Sequence, residues 1–318
     1  MSRTLSDKFR DPQQGVYFIG TTPPRAGTDD EAMAGIAEKL LGRLNSIDYD
    51  GVVVYDIQDE SSRTDQPRPF PYMETRDPRD YAWLLAKLSG RDTIAYKSVA
   101  QRDRASFAAW LKETSDKYSQ QHLVLVGSPS SHGQIRLSLP DAYATLRASQ
   151  LPFNLGGVTI AERHAVKGNE HLRLLQKSKE GCEFFISQAV YNPQATIDLL
   201  TGYARECRQR GETPKRIILT FTPCGSEKTL GFMQWLGISV PEATRWRILD
   251  AENPLSESIR ICQNSLEQIL EACLPLGLPL GLNIESLTNR KEEIDAAIQL
   301  FRLLKATLDL QLAQQALR

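Results

Sequence analysis

The chain has 318 residues, 41% of them hydrophobic, and a formal net charge of −1. That is enough apolar mass for a sizeable single core, and with no basic field the balance argues against a nucleic-acid or anionic-lipid partner. The opening MSRTLSDKFRDPQQG has no apolar signal core, and no stretch approaches about 18 continuous apolar residues, so a cytoplasmic chain that neither spans a membrane nor is exported is expected.

In chain order, eight short β-branched runs alternate with amphipathic stretches: Val16–Gly20, Val52–Ile57, Asp92–Ser98, His122–Gly127, Phe153–Ile160, Glu183–Gln188, Arg216–Phe221 and Leu282–Ser286. This alternation is the pattern of a parallel sheet. Between the runs, Ile36, Leu40 and Leu44 share one helical face and Tyr81, Leu84, Leu85 and Leu88 another. A helix from about Arg290 closes the series. No GxGxxG follows the first run and the spacing stays regular, which favours a closed (β/α)8 TIM barrel over an open doubly wound sheet. The expected organisation is an N-terminal extension over 1–14, the barrel over 15–309 and a tail over 310–318. Both ends are expected to fray or to cover the barrel.

Two connections are long, 59–78 after the second run and 222–280 after the seventh, with extra helices expected near 226–236 and 255–273. Both follow strands and so fall on the face where barrels carry function. The same face collects polar groups. Thr22-Pro23-Pro24-Arg25 follows the first strand as a stiff loop. Tyr55-Asp56-Ile57-Gln58-Asp59-Glu60, with Arg63, follows the second, where carboxylates are placed for proton transfer. A Gly/Ser loop from Gly127 and Ser128 to Gly133 follows the fourth; its backbone could face a phosphate, although no P-loop lysine is present. Thr159-Ile160-Ala161-Glu162-Arg163-His164 follows the fifth, with Arg163 or His164 the expected functional group. Gln188 ends the sixth strand and needs hydrogen-bond partners, and Glu285 lies inside an apolar run at the eighth.

Five cysteines, odd in number and never CxxC, argue for free thiols over disulfides or structural zinc; Cys224, in a Pro-Cys-Gly turn, is the one to watch. GxSxG and HExxH are both missing and no metal-ligand spacing is present, so no metal site is expected.

Taken in order, these pieces resemble the methylenetetrahydrofolate reductase family, flavin-using TIM barrels of one-carbon metabolism. The resemblance rests on Thr22-Pro23-Pro24-Arg25, on the block Asn169–Asn192 with Leu172, Lys177, Gly181 and Ile186-Ser187-Gln188, and on Phe221-Thr222-Pro223 followed by Gly237-Ile238-Ser239-Val240-Pro241. It implies a flavoprotein oxidoreductase that passes hydride from FAD, and NADH or NADPH behind it, to a tetrahydrofolate. Gln188 would contact the pterin, with Ser128, Thr22 and Arg25 around the substrate. Lys177, Tyr96, Thr159, Arg163 and His164 would lie near the cofactor.

The departures from the family are local. Its glutamate three residues before Pro-Pro-Arg, the general acid, is Gly20 here; its aspartate after strand four is Ser128; its strand-three histidine falls at Tyr96. Its His-Phe-Tyr-Thr-Leu-Asn near strand eight becomes Asn283-Ile284-Glu285-Ser286-Leu287-Thr288-Asn289, and its strand-five loop carries Arg163-His164. In a closed barrel strands two and eight flank strand one, so Asp56 or Glu285 is expected to replace the missing acid. The alternatives are a folate-binding protein without redox chemistry and a folate-dependent methyl-transfer protein. Barrels of this kind often self-associate, but no apolar stripe in the sequence marks a homo-oligomer interface.

Overall fold

In the computed structural model, which describes residues 4–61, 64–128 and 135–317, the eight runs become eight strands of a closed barrel in the order β1-β2-β3-β4-β5-β6-β7-β8. They are β1 (Tyr17–Thr21), β2 (Gly51–Val54), β3 (Asp92–Ser98), β4 (His122–Val126), β5 (Asn154–Thr159), β6 (Cys182–Ala189), β7 (Arg216–Phe221) and β8 (Leu280–Glu285). Pairings are parallel, as in Val52↔Thr93, Tyr96↔Val124 and Thr220↔Asn283. By contacts the chain divides into two units, one of Met1–Phe18, Thr159–Ser178 and Phe184–Arg318, the other of Ile19–Val158 and Lys179–Glu183.

In the second of these units, α2 (Asp30–Leu44), α3 (Pro78–Ser89), α4 (Arg104–Tyr118) and α5 (Leu139–Ser149) alternate with the strands. Asp77 caps α3 through the Arg79 N–H, Pro78 occupies the first turn, and Gly90 ends the helix in the left-handed region. The buried face of α2 is Met33, Ala37 and Leu44; Ile36, expected inside, is 43% exposed. Leu88, expected on the buried face of α3, is likewise exposed, and Tyr81, Ala82 and Leu85 carry that packing. In both helices the buried stripe is shifted from the apolar set read from sequence and includes small residues, Ala37 and Ala82.

The first unit holds α1 (Leu5–Arg10), α6 (Ala161–Lys167), α7 (Glu170–Lys179, through Ser178), α8 (Pro193–Arg210) and, after β7, α9 (Glu227–Trp235), α10 (Glu242–Leu249) and α11 (Pro254–Cys273), with α12 (Lys291–Ala316) last. The long connection after β7 therefore carries three helices where two were read from sequence. Asn192-Pro193 and Asn253-Pro254 start α8 and α11 as Asp77-Pro78 starts α3: a side-chain cap followed by a residue whose missing N–H costs nothing there.

Residues 4–14 of the N-terminal extension pack onto strands of the same unit. Leu5 and Phe9 of α1 are buried, and Phe9 stacks on Phe184 with centroids 4.6 Å apart. Arg216, the first residue of β7 and fully buried, donates to the carbonyls of Lys8, Phe9, Asp11, Gln14 and Leu280. At the other end α12 continues to Ala316, because Leu312, following Leu304 and Leu308, extends its buried stripe beyond the expected boundary at 309. Gly281 in β8 is a spacing requirement: a Cβ there would lie 2.9 Å from the Val16 carbonyl oxygen.

Candidate functional site

Polar side chains gather at the carboxyl ends of the strands in both units. In the unit of Ile19–Val158, β2 stops at Val54, earlier than its sequence run, because Asp56 turns toward β3. One carboxylate oxygen accepts the Ser98 N–H at 2.7 Å and lies 3.5 Å from Lys97 Nζ; the other accepts from Gln58 Nε2 at 2.9 Å. Lys97, nine-tenths buried, also meets Asp77 at 3.4 Å, and Asp77 accepts from Trp110 Nε1 at 3.0 Å. Burial raises the Asp56 carboxyl above its ordinary value, offset only in part by Lys97 and the Ser98 N–H. Burial acts on Asp77 in the same sense, but Lys97, Trp110 and the Arg79 N–H outweigh it, and Asp77 lies below its ordinary value. Asp56, which with Glu285 is one of the two acids expected to stand in for the one missing at Gly20, is thus anchored to β3.

Thr22 and Arg25 are exposed, and the loop between them is pinned by its backbone: Arg25 bridges Thr75, Ala26 N–H donates to Glu74 O, and Arg76 N–H donates to Pro24 O. The Pro-Pro-Arg turn is therefore one wall of the 59–78 connection. Tyr96, buried in β3, meets the Tyr55 ring edge-on at 4.9 Å. Ser128 lies just past β4. Arg63 and the remainder of the Gly/Ser loop, 129–134, lie outside the described residues.

In the other unit the geometry is more pointed. The β6–β7 register shifts between Ile186 and Ala189, and inside that bulge the Ser187 hydroxyl accepts the Thr220 N–H at 2.9 Å. A bulge re-aims the side chains beside it. Gln188 there donates through Nε2 to the Leu236 carbonyl at 3.1 Å. Three residues on, Ser239 N–H donates to Glu162 Oε1 at 3.0 Å. The turn between the two contacts relies on Gly237, at φ +80°. Glu162, Gln188, Ser187 and Thr159 line one cavity of about 10 Å³, room for about one water, whose other walls include Leu199 and Leu200 of α8 and Ile217 and Leu219 of β7. Thr159 is 1% exposed, and its Oγ1 has no hydrogen-bond partner among the described residues. Burial raises the Glu162 carboxyl above its ordinary value, with the Ser239 N–H pulling the other way.

The sequence reading had set Gln188 on the substrate and Thr159 on the cofactor; the structure brings them into one niche. It also brings Glu162, which the sequence reading passed over for its neighbours Arg163 and His164. Arg163 meets the fully buried Glu170 at 3.7 Å, a carboxylate that also accepts the Ile160 N–H at 3.3 Å and so fixes the turn out of β5. His164 lies edge-on to His171, ring centroids 5.1 Å apart. Lys177 is buried in the last turn of α7, next to the start of β6 and away from Gln188 near the strand's far end. Glu285 ends β8, half-buried, two residues after a buried Asn283 whose Nδ2 donates to Thr220 Oγ1 at 3.2 Å.

An FAD pyrophosphate needs cations or a nest of free N–H groups around it. Arg163 is engaged by Glu170 and Lys177 is buried in the last turn of α7, so these two described side chains do not supply such a cradle. Cys224 is fully buried and burial pushes its thiol up to about 12, which removes it as a nucleophile. Among the described residues no group of three or more His, Cys, Asp or Glu could hold a metal ion, and no helix is long and apolar enough to cross a membrane.

No protein-family model matches the chain, and no curated protein matches it in sequence. Among solved structures, an uncharacterised protein from Clostridium thermocellum that binds two copies of 5-methyl-5,6,7,8-tetrahydrofolic acid is 34% identical. The match covers 93% of this chain and 97% of that one, with a TM-score of 0.80. This chain belongs to that protein's family. A second structure, apo-MsnO8, is 13% identical over 91% of this chain and 99% of its own, with a TM-score of 0.51, and shares the fold alone.

Proposed function

We propose that this protein binds a tetrahydrofolate carrying a one-carbon group at the carboxyl ends of its barrel strands, with Gln188 hydrogen-bonding the pterin. The observation that carries the reading is membership, at 34% identity, in the family of a protein that binds 5-methyltetrahydrofolate. The β6 bulge supports it, because Gln188 there lines one cavity with the half-buried Glu162 carboxyl and with the Thr159 hydroxyl, which has no partner among the described residues. Calorimetric titration with 5-methyltetrahydrofolate tests it: saturable heat is expected, and none at millimolar ligand would sink it.

A finer proposal makes the protein an oxidoreductase of the methylenetetrahydrofolate reductase type, with FAD or NAD(P)H as hydride donor. Its support is the ordered sequence resemblance. Against it stand the glycine at position 20, the commitment of both Asp56 oxygens and the engagement of Arg163 by Glu170, so binding, or methyl transfer to or from the folate, ranks first. Retention of visible flavin absorbance after reconstitution and desalting, with NADH or NADPH oxidised in the presence of methylenetetrahydrofolate, would reverse that ranking.

A further inference from the structure

We propose that Glu162 is the residue that selects the amino-pyrimidinone edge of the ligand, acting with Gln188 and with the Thr159 hydroxyl, which line the same cavity. The inference rests on the folate-binding reading and deepens it.

A reduced pterin presents an exocyclic amino group and a ring N–H side by side, next to a carbonyl oxygen. Two parallel donors of that kind are matched by a carboxylate, which accepts on both oxygens, and the carbonyl is matched by a carboxamide N–H or a hydroxyl. Glu162, Gln188 and Thr159 are those three groups, and they line one cavity. The resident contacts stand in for ligand contacts: Ser239 N–H is the donor on one Glu162 oxygen, and the Leu236 carbonyl is the acceptor for Gln188. Both come from a single turn hinged at Gly237, so one displacement of that turn exposes both groups together.

Thr159 is the independent observation. A buried hydroxyl without a partner is unusual in a folded chain, and a ligand or water is the ordinary way to satisfy it. At about 10 Å³ the niche admits one ligand heavy atom and no ring. It therefore suits the group projecting from a heterocycle's edge, with the ring itself held outside. Asp56 could not play this part, since its two oxygens already take Ser98, Lys97 and Gln58.

The test compares wild type, Glu162→Gln and Thr159→Val, each titrated with 5-methyltetrahydrofolate and with the 2-desamino analogue, alongside thermal melts. Wild type is expected to prefer the amino ligand by about tenfold or more, the scale of one charge-assisted hydrogen bond. Glu162→Gln is expected to lose that preference, weakening the amino ligand by more than the analogue, which keeps only the ring N–H. Thr159→Val is expected to weaken the natural ligand severalfold without lowering the melting temperature, since it removes an unsatisfied group. Equal losses on both ligands would overturn the proposal, because they would mean that Glu162 only anchors the 236–239 turn. An undiminished preference in Glu162→Gln would overturn it as well. Wild type that binds neither ligand would instead remove the folate reading beneath it.

Discussion

The carboxylate of Glu162 accepts the backbone N–H of Ser239 at 3.0 Å, across 77 positions of sequence. This contact and its companion, Gln188 to Leu236 O, tie the turn after α9 to the ends of β5 and β6. They fix where the polar groups of the niche point. Elsewhere, buried charge serves to hold the barrel together, and its consequences are separately measurable.

The Lys97–Asp77 pair makes the acid limb of stability. The folded-state carboxyl of Asp77 lies below its ordinary value, so its contribution is present above the unfolded value of about 3.9 and is lost as pH falls through the lower folded value. Asp77→Asn is expected to destabilise the protein by about 1–3 kcal/mol at neutral pH, as removal of one partner of a part-buried charged hydrogen-bond set does. Urea melts of both proteins across acid pH should show the gap closing as wild-type Asp77 protonates. A gap that stays constant would mean the pair contributes by packing alone.

Arg216 should be the most sensitive single position at the N-terminal side of its unit. Its guanidinium satisfies carbonyls on α1, on the following loop and on β8, and no apolar replacement can do so. Arg216→Leu is expected to cost about 3 kcal/mol or more, through the stranding of several buried acceptors. Limited proteolysis should then cut first within residues 4–14. Resistance equal to wild type would contradict the role given to this arginine.

The cysteines should be silent. All five are buried, and burial pushes the thiols of Cys224, Cys262 and Cys273 up to about 12. An aromatic disulfide reagent is expected to titrate no thiol in the native protein and all five after denaturation. Fast native labelling at Cys224 would reopen it as a functional group.

Most of the barrel was legible because its signals are local. Each β-branched run sits between turn residues, and Asx-Pro pairs announce α3, α8 and α11 within two positions of their start. The strand lengths were less so: Asp56 leaves β2 to cap the end of β3, a choice made by Ser98 and Lys97 about forty positions on. Lys97 itself carried a readable signal, since a lysine inside a strand run is costly unless paired. Gln188 was found by the same logic of a polar group ending an apolar strand. Glu162 was not, because nothing near it in sequence distinguishes it from Arg163 and His164. What singles it out is a turn 77 residues away, brought to it because α6 and the turn after α9 fold into one unit.

The most direct test of folate binding at the β6 bulge is a side-by-side titration of wild type and Gln188→Ala with 5-methyltetrahydrofolate, with melting temperatures as the control. Wild type should saturate, and Gln188→Ala should bind about tenfold more weakly at an unchanged fold, the loss of about one hydrogen bond to a ligand. Equal affinity in the two proteins would place the folate elsewhere, and no binding in wild type would contradict the account outright.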